Sequence, residues 1–380
     1  MKIFVAGGGP AGLYAACLIK RLRPAADITL AEQNARGATF GFGVVFSDKA
    51  LEFLREGDPE THALIQPEMQ AWRDLTIVHR GEAIRIDGIG FAAIGRLRLL
   101  NLLQARLESL GVTPRYGTVM RALPRPEDFD LIIAADGVNS PVRDARREAF
   151  GARIEPLKNF FAWFGTTREF STLTQTFAET EHGPFNAHHY RYAPGMSTFI
   201  AECGPRTFQR AGLGAMSEEE SRKACEAVFA DALDGHQLIT NRSLWRNFPV
   251  VSNARWHHKN TVLLGDALRT AHFSIGSGTR LALEDAIALA QALQAENFNI
   301  ARALPAYEAA RRPAVDKLVA GANASAAWYE DFGAHMKLAP FDFAMSYIQR
   351  SGRIDPERLN RLAPEFAKGY ERQAGGKEVA

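Results

Sequence analysis

The sequence predicts an α/β protein that has a Rossmann-like nucleotide-binding domain, an inserted β-sheet domain and a helical C-terminal region. Three observations predict this fold. The chain of 380 residues opens with an apolar run, a glycine-rich turn and a helical pattern, which is the start of a Rossmann βαβ unit. Two later apolar runs end in an aspartate beside a glycine, at Asp136 and Asp266. The residues between these two runs include aromatic-rich segments with strand-like alternation.

The glycine-rich turn follows the apolar run KIFVA and has the order GxGxxG, formed by Gly7, Gly9 and Gly12. Each glycine has its own physical reason. The first permits the tight turn, the second lets the backbone approach a pyrophosphate, and the third lets helix and strand pack closely. The turn therefore predicts a dinucleotide site, and the competing interpretation is a glycine turn without a ligand.

The residues that follow this turn strengthen the prediction. Pro10 and Ala11 begin the predicted helix, whose N-terminal N–H groups and dipole would hold phosphate charge. The next predicted strand, DITLAEQ, leads to Glu32, 20 residues after Gly12. An acidic residue at that place binds ribose hydroxyls in a Rossmann unit. Because FAD and NAD both use this unit, the rest of the chain must distinguish them.

The remainder of the chain favours FAD over a two-nucleotide arrangement. Only one GxGxxG fingerprint of this kind is present, and Cys17, Cys203 and Cys225 are far apart in the sequence. A disulfide reductase that binds two nucleotides would need a second fingerprint and a redox cysteine pair. The three cysteines are instead expected to be reduced thiols, and they lack metal-ligand spacing.

Two further motifs stand at the ends of predicted buried strands. Asp136-Gly137 follows DLIIAA, and Gly265-Asp266 follows VLL. Open parallel sheets bind their ligands at the carboxyl ends of the strands. Two carboxylates and a glycine turn at such ends suit one extended ligand that crosses several strands.

These three ordered motifs resemble those of the p-hydroxybenzoate-hydroxylase-type FAD monooxygenases. The resemblance implies that Asp266 contacts the ribityl chain of FAD and that Asp136 and Gly137 serve both FAD and the reduced nicotinamide. It also implies that Arg96, at a predicted helix start, lies near FAD. The implied reaction uses NADH or NADPH as a transient co-substrate and proceeds through a flavin C4a-hydroperoxide, which oxidises an electron-rich ring.

A narrower resemblance concerns the substrate. The segments FGFGVVFSD, FGTTREF, ETEHGPFNAHHYRY, NFPVVSNARW and LLGDALRTAHFSIGSGTRLALEDA are similar to the monooxygenase part of salicylyl-CoA 5-hydroxylases and 2-aminobenzoyl-CoA monooxygenases. They resemble the tryptophan-derivative hydroxylases of violacein biosynthesis less closely. The resemblance implies an aromatic CoA thioester, with salicylyl-CoA converted to gentisyl-CoA as the leading candidate. A free aromatic or indole substrate is the alternative. Many relatives read Ala-His where this chain has Leu268 and Arg269.

The glycine-rich loop after the second aspartate is the predicted flavin loop. The backbone at Ile275, Gly276 and Gly278 would approach the isoalloxazine edge, and Thr279 would cap the following helix. Backbone N–H groups and a helix N-terminus there would stabilise negative charge on the reduced flavin. The competing interpretation is an ordinary strand-to-helix junction.

Three side chains are predicted to be catalytic. Strand alternation in NAHHYRY places His188 and Tyr190 on one face and His189 on the other. His188 and Tyr190, together with His272 of the flavin loop, are predicted to lie beside the substrate ring. For each of the two histidines the competing interpretation is a structural role.

The predicted domain boundaries follow from these assignments. The segments are 1–71, 96–152 and 259–300 for the FAD-binding domain, 72–95 and 153–258 for the substrate domain, and 301–370 for the C-terminal helices.

Composition limits the functional classes. With 46% hydrophobic and 23% charged residues the protein is an ordinary globular one, and the net charge of +2 favours neither nucleic acid nor a membrane surface as partner. No apolar stretch reaches the length of a membrane span. A cytoplasmic location is expected because the three cysteines suggest reduced thiols. The expected partners are O₂ and a small aromatic molecule, with the protein a monomer or homodimer and no metal bound. A flavin halogenase would be expected to carry WxWxIP, which is absent, and a non-catalytic flavin protein is a further alternative.

Overall fold

The computed structural model describes residues 1–47, 51–120 and 122–377, with the side chains of Ser47 and of residues 374–377 left out. Asp48, the last residue of the FGFGVVFSD segment, lies outside the described residues. Every residue predicted for the site lies within them.

The strands alternate with short turns over much of the chain. In chain order they are β1 (Lys2–Ala6), β2 (Asp27–Ala31), β3 (Gly43–Ser47), β4 (Gln70–Trp72), β5 (Leu75–His79), β6 (Glu82–Ile86), β7 (Phe91–Gly95), β8 (Leu131–Ala134), β9 (Ala152–Thr166), β10 (Leu173–Thr180), β11 (Gly183–Ala193), β12 (Met196–Cys203), β13 (Leu238–Ile239), β14 (Arg246–Asn253), β15 (His257–His258) and β16 (Thr261–Leu263).

The longest helices lie in the last third of the chain. In chain order the helices are α1 (Pro10–Leu22), α2 (Glu52–Gly57), α3 (Pro59–Ile65), α4 (Arg96–Ser109), α5 (Pro141–Asp144), α6 (Arg147–Phe150), α7 (Pro205–Arg210), α8 (Glu218–Val228), α9 (Ala230–Leu233), α10 (Gly278–Ala295), α11 (Ile300–Glu330), α12 (Phe332–His335), α13 (Pro340–Gln349), α14 (Pro356–Leu362) and α15 (Pro364–Lys377). Two single 3₁₀ turns, Gly265–Ala267 and Phe273–Ile275, lie between β16 and α10.

A parallel sheet forms the nucleotide-binding half, with the strand order β15-β16-β8-β1-β2. β16, β8, β1 and β2 run parallel, and β15 pairs antiparallel at the edge. The strands of this sheet are short and almost wholly apolar because α1, α4 and α10 pack around them in one core. The Rossmann-like prediction is therefore confirmed. Its consequence is that β1, β2, β8 and β16 end at the same edge.

A second, larger sheet has the order β13-β9-β12-β11-β10-β5-β6, and β14 also pairs with β9. One face packs against aromatic side chains of the C-terminal helices, among them Trp328 and Phe343, and the other packs against Phe229, next to α8. Strands β3, β7 and β4 form a separate small sheet. That small sheet joins Gly43–Ser47 to Phe91–Gly95, two segments assigned above to different domains. The domain boundaries remain a prediction.

The C-terminal region is helical, as predicted. α11 contains 31 residues and continues through Pro305 and Pro313. Its last turns and helices α12 to α15 cover the apolar face of the large sheet. None of the helices in the described part of the chain combines the length and apolar composition needed to span a bilayer.

A buried ion network includes Arg269, which directly follows Leu268 in the turn after β16. Leu268 is 1% exposed in the core, and Arg269 Nη2 donates to both carboxylate oxygens of Asp285, at 2.8 and 2.7 Å. Arg311 Nε donates to the same carboxylate at 3.0 Å. Arg269 therefore ties the turn after β16 to α10 and, through Asp285, to α11.

Replacing Asp285 with alanine is expected to lower the free energy of unfolding by about 3–5 kcal/mol, because the buried guanidinium of Arg269 would lose its carboxylate partner. Arg311 would keep its ion pair with Glu284. Urea unfolding of the variant measures this loss. Asp128→Ala is the matched control, since Asp128 pairs with Arg125 on the surface and such a pair contributes less than about 1 kcal/mol. Equal losses for the two variants would contradict the structural role of the network.

Candidate active site

The GxGxxG turn connects β1 to α1 and leaves one open position. Gly7 has φ +97°, and a Cβ there would lie 2.3 Å from the Ala135 carbonyl oxygen. A Cβ on Gly12 would lie 2.1 Å from the Gly7 carbonyl oxygen. A Cβ on Gly9 would meet no protein atom within 4 Å. The first and third glycines thus serve chain packing, whereas the second borders free space at the start of α1.

Glu32 directly follows β2 and reaches back to this turn. Its Oε2 accepts a hydrogen bond from the Gly8 N–H at 2.7 Å, and its Oε1 accepts one from the Asn34 N–H at 2.8 Å. The carboxylate is half-buried. These bonds hold Glu32 against the glycine turn, where a ribose of a bound dinucleotide would lie.

The DG motif stands at the end of the neighbouring strand, β8. Asp136 Oδ2 accepts a hydrogen bond from the Val142 N–H at 3.3 Å, while its Oδ1 is buried without a partner among the described residues. Burial raises the pKa of this carboxyl, although the hydrogen bonds it accepts act in the opposite direction. Gly137 has φ +82°, and a Cβ there would meet no protein atom within 4 Å. The motif therefore presents an unsatisfied oxygen beside the glycine turn.

The GD motif forms the 3₁₀ turn after β16. A Cβ on Gly265 would lie 3.0 Å from the Ala11 Cβ, so the turn sits directly against the start of α1. The Asp266 side chain is exposed and makes no hydrogen bond within the described part of the chain. The protein around it nevertheless raises its pKa by desolvation, which the positive charges of Arg96 and Arg269 oppose. The structure thus brings Gly7–Gly12, Glu32, Asp136 and Asp266 to one sheet edge.

Arg96 begins α4 and approaches this edge from the side of the small sheet. Its backbone N–H donates to the Phe42 carbonyl at 2.7 Å, and its Nε donates to Thr39 Oγ1 at 3.1 Å. Burial lowers the pKa of the guanidinium, and the charge of Asp266 raises it. Arg96 also lines a cavity of about 600 Å³ together with Thr39, Phe42 and Tyr192. A cation, a carboxylate and an open space therefore meet here.

The predicted flavin loop leads from His272 to the start of α10. Gly276 has φ +60°, and a Cβ there would lie 2.8 Å from Val45 Cγ1. A Cβ on Gly278 would meet no protein atom within 4 Å. Like Gly9, Gly278 therefore borders open space at a helix start.

The prediction that Thr279 caps α10 is wrong. The helix begins at Gly278, so Ser277 occupies the N-cap position, and its side chain makes no capping bond. Thr279 is already inside the first turn because the glycine before it adopts helical geometry. Ser277 Oγ instead donates to the Ile275 carbonyl at 3.2 Å, which leaves the first amides of α10 without a side-chain cap.

The structure brings His188 of β11 and His272 of the loop together. Both rings lie against Phe273, with ring centroids at 6.4 Å for His188 and 4.2 Å for His272. They are 3% and 4% exposed, and burial lowers the pKa of each to about 3, with the positive charge of Arg350 acting in the same direction. Neither ring nitrogen of His188 has a partner among the described residues, nor does Nδ1 of His272. Two neutral imidazoles thus present buried nitrogens that are free to bond a ligand or water.

Tyr190 lies on the same strand face, but its hydroxyl is already engaged. The hydroxyl donates to the Gly43 carbonyl at 2.9 Å, and burial raises its pKa. This bond ties β11 to β3 and favours a positioning role. On the opposite face, the His189 ring contacts Thr176 Oγ1 at 2.9 Å and stacks on Phe199, as the alternation predicted.

Arg350 belongs to the site and was missed by sequence reasoning. Its Nη2 donates to the Ser274 carbonyl at 2.9 Å, its Nε donates to Ser325 Oγ at 3.0 Å, and its guanidinium lies 3.7 Å from the Tyr347 ring centroid. Arg350 therefore holds the flavin loop against the C-terminal helices. No motif marks it, since it lies far along the chain at the end of α13.

Glu202 was also missed, because a lone glutamate in a strand carries no signal. It is 2% exposed and stands opposite Asn186 on β11, hence on the face that also carries His188. Its Oε1 accepts a hydrogen bond from Asn159 Nδ2 at 2.8 Å, and its Oε2 has no partner in the described ranges. Burial raises the pKa of Glu202 to about 8, and the charge of Glu330 adds to this shift.

The Glu202 shift predicts a pH dependence of stability. The pKa of Glu202 is about 8 in the folded protein, compared with a reference value of 4.5. The stability that the protonated side chain contributes is therefore full below pH 4.5 and is lost as the pH rises through 8. In Glu202→Gln this loss should be absent. The slopes of the free energy of unfolding against pH should therefore differ between wild type and variant by up to about 1.4 kcal/mol per pH unit. Denaturant unfolding at several pH values measures it. The exposed Glu155→Gln variant should follow the wild type. Parallel curves for Glu202→Gln and wild type would contradict the shift.

Comparison with known proteins decides the family. The family described as "FAD binding domain" matches residues 128–322. Salicyloyl-CoA 5-hydroxylase of Streptomyces sp is 40% identical over 361 residues, which are 92% of this chain and 70% of that protein. The chain belongs to the FAD-dependent aromatic monooxygenases. This monooxygenase is also 38% identical to the 3-hydroxy-4-methyl-anthranilyl-[aryl-carrier protein] 5-monooxygenase of Streptosporangium sibiricum, over 87% of this chain and 89% of that one. It is 34% identical to protodeoxyviolaceinate monooxygenase of Chromobacterium violaceum, over 94% and 96%.

Solved structures share the fold of the monooxygenase. PqsL of P. aeruginosa, in complex with 2-aminobenzoylacetate, has a TM-score of 0.70 at 19% identity and covers 92% of this chain and 99% of its own. The 2-methyl-3-hydroxypyridine-5-carboxylic acid oxygenase has a TM-score of 0.67 at 17% identity, with 94% and 95% covered. At these identities the similarity shows the fold alone.

The residues at the strand ends fit FAD. Gly9 and Gly278 border open space at two helix starts, where the backbone can approach a phosphate or a flavin edge. Asp266 offers an unpaired carboxylate for the ribityl hydroxyls, and Glu32 stands where a ribose would lie. Among the described residues no group of three or more His, Cys, Asp or Glu side chains is placed to hold a metal ion.

Proposed function

We propose that this monooxygenase hydroxylates an aromatic CoA thioester, with salicylyl-CoA converted to gentisyl-CoA as the leading candidate. The observation that carries the proposal is the pair of buried, unpartnered imidazoles of His188 and His272 beside the flavin loop. Aromatic side chains surround this pair: Phe248 lies 5.0 Å and Tyr329 5.8 Å from the His272 ring. An apolar pocket with two neutral hydrogen-bonding groups suits an aromatic ring that bears one polar substituent.

The names of two relatives support the thioester. One is a salicyloyl-CoA hydroxylase and the other acts on an anthranilyl group carried by an aryl-carrier protein. In both, the aromatic acid is linked to a carrier. We therefore favour a carrier-linked aromatic acid as the substrate class, and CoA as the carrier.

The residues that would hold FAD are those at the strand ends and the two helix starts. Gly7, Gly9, Pro10, Ala11 and Gly12 would hold the pyrophosphate, Glu32 the ribose, and Asp136, Gly137, Gly265, Asp266 and Arg96 the middle of the cofactor, with Ile275, Gly276 and Gly278 at the isoalloxazine. When bound, FAD supplies the electrons taken from NADH or NADPH and the activated oxygen. The balance is one NAD(P)H, one proton, one O₂ and one aromatic C–H consumed, and NAD(P)⁺, water and one aromatic C–OH formed.

The protein's own groups would orient the ring and keep water out. In the neutral state, His188 and His272 can each accept a hydrogen bond from a phenolic hydroxyl, which places that hydroxyl near the loop. The salicylyl hydroxyl, which is ortho to the thioester, raises the electron density at the ring carbon para to that hydroxyl. This carbon is position 5, so oxygen enters there. Arg350 holds the loop that carries His272, and Phe273 and Phe248 exclude solvent.

The test follows NAD(P)H oxidation and product formation by FAD-loaded protein with salicylyl-CoA, 2-aminobenzoyl-CoA, free salicylate and tryptophan. The expected result is strong stimulation by salicylyl-CoA with one hydroxylated product per NAD(P)H. Stimulation by free salicylate or tryptophan alone would overturn the thioester assignment and favour the free-aromatic or indole alternative. Absence of stimulation by any aromatic compound would favour a non-catalytic flavin protein.

A further inference from the structure

Two loops meet beside the cavity that Arg96 lines. Asn241 Nδ2 donates to the Thr39 carbonyl at 3.2 Å and to the Gly41 carbonyl at 3.1 Å. Thr39 and Gly41 form part of the cavity wall. The turn that precedes β14 is therefore hydrogen-bonded to this cavity wall, although β14 itself pairs with the large sheet. We call Phe40, Arg242, Leu244 and Arg246 the rim.

The rim presents apolar and aromatic surface to solvent. Phe40 is 40% exposed and Leu244 is 62% exposed. The Arg242 guanidinium lies 4.8 Å from the Phe40 ring centroid. An exposed aromatic face and the flat face of a guanidinium are the groups on which a purine base stacks.

The backbone of the rim is held in an unusual conformation. Arg242 has φ +55°, a left-handed value that is uncommon for a side-chain-bearing residue, and its carbonyl accepts the Leu244 N–H at 2.9 Å. Ser243 is buried between them, and its Oγ donates to the Trp163 carbonyl. Strained backbone of this kind persists where surrounding bonds hold it and is concentrated at binding sites. Here it turns Arg242 toward Phe40.

The rim is also positively charged. Arg246 is exposed, and its guanidinium lies 5.3 Å from the Phe161 ring centroid. Neither Arg242 nor Arg246 forms an ion pair with any described residue, whereas Arg98, which lines the cavity, pairs with Glu68. The Glu218 carboxylate contacts this turn by accepting a hydrogen bond from the Ser243 N–H at 2.7 Å, and it forms no ion pair with either arginine. Exposed guanidinium groups without a carboxylate partner favour phosphate as the ligand.

The rim is connected to the predicted reaction site. The Phe161 ring, over which Arg246 lies, has its centroid 5.1 Å from that of Phe273 in the flavin loop. A ligand with its phosphates at the rim could therefore extend one end past this ring pair toward His188 and His272.

We propose that the rim binds an adenosine diphosphate group, with the base on Phe40 and Arg242 and the phosphates on Arg242 and Arg246. This group is shared by CoA and by NAD(P)H. Resting on the proposed function, the inference assigns it to the CoA end of the aromatic thioester, whose flexible arm would run along the cavity wall.

The test compares Arg242→Ala, Arg246→Ala and Phe40→Ala with the wild type on three ligands: salicylyl-CoA, the truncated salicylyl N-acetylcysteamine thioester, and NADH or NADPH. For the arginine variants we expect KM for salicylyl-CoA to rise about 10- to 100-fold at unchanged kcat, since each loses hydrogen bonds to a charged group. KM for the truncated thioester should not change, because it lacks the nucleotide. Arg206→Ala, which removes an exposed arginine of α7, is the control and should match the wild type.

The other outcomes are equally distinct. A rise of KM for NADH or NADPH alone supports the rim as a nucleotide site and assigns it to the nicotinamide co-substrate. Unchanged KM values for all three ligands overturn the inference, as does an equal rise for the truncated thioester. Calorimetric binding of free CoA to the FAD-loaded protein needs no turnover, so loss of CoA binding in Arg242→Ala supports the rim even if salicylyl-CoA is not hydroxylated.

Discussion

A Gly12→Ala variant is expected to be unable to retain FAD and to unfold at a clearly lower denaturant concentration than the wild type. The added Cβ would lie 2.1 Å from the Gly7 carbonyl oxygen and 3.2 Å from Val5 Cγ1, and both neighbours belong to the packed start of the sheet. Backbone of β1 or α1 must move, and overpacking in a dense core costs about 1–3 kcal/mol or more. Urea unfolding of the apoprotein and fluorescence titration with FAD measure the two effects.

Gly9→Ala separates ligand contact from packing in the same turn. Its Cβ would meet no protein atom within 4 Å, so the free energy of unfolding of the apoprotein should stay within about 0.5 kcal/mol of the wild type. FAD affinity should nevertheless fall about 10- to 100-fold if the pyrophosphate lies against this backbone. Unchanged FAD affinity in Gly9→Ala would contradict the placement of the pyrophosphate at the GxGxxG turn.

A His272→Leu variant is expected to lose about 100- to 1000-fold in the rate of product formation while it still oxidises NAD(P)H. Leucine fills the site without the ring nitrogens, so FAD binding and its reduction should persist. A substrate held without its hydrogen bond is misplaced for oxygen transfer, and the reducing equivalents should then appear as hydrogen peroxide. The measurement is the amount of hydroxylated product and of hydrogen peroxide formed per NAD(P)H consumed. His188→Leu should behave in the same way.

His189→Leu is the control for this pair, because it removes a buried histidine from the same strand on the opposite face. His189 contacts Thr176 rather than the loop. The variant should lose roughly 1–3 kcal/mol of stability from the unpaired hydroxyl and keep the ratio of product to NAD(P)H. If His272→Leu and His188→Leu also keep that ratio, the two histidines are structural and the predicted catalytic role is wrong.

Some parts of the site could be predicted because their signals are local. The GxGxxG turn, Glu32 and the DG and GD motifs each follow a short apolar strand, and parallel strands necessarily end at one edge. Alternation along β11 separated His188 from His189 for the same reason: the direction of a side chain in a strand is decided by its position alone. The N-cap of α10 was placed two residues too late, at Thr279 instead of Ser277, since glycine can adopt either conformation and Gly278 does not mark the boundary.

By itself, the sequence determined the strand-end motifs, the fold class and the face on which each strand residue lies, since these depend on neighbours within a few positions. The tertiary structure alone decided which distant groups join them. Arg350 reaches Ser274 from the end of α13, and Glu202 lies on the same sheet face as His188 of the neighbouring strand. Arg242 contacts Phe40, and the adjacent Asn241 bonds the Thr39 carbonyl. Such contacts arise from the packing of separate elements into one core, and the residues that make them carry no local periodicity or spacing.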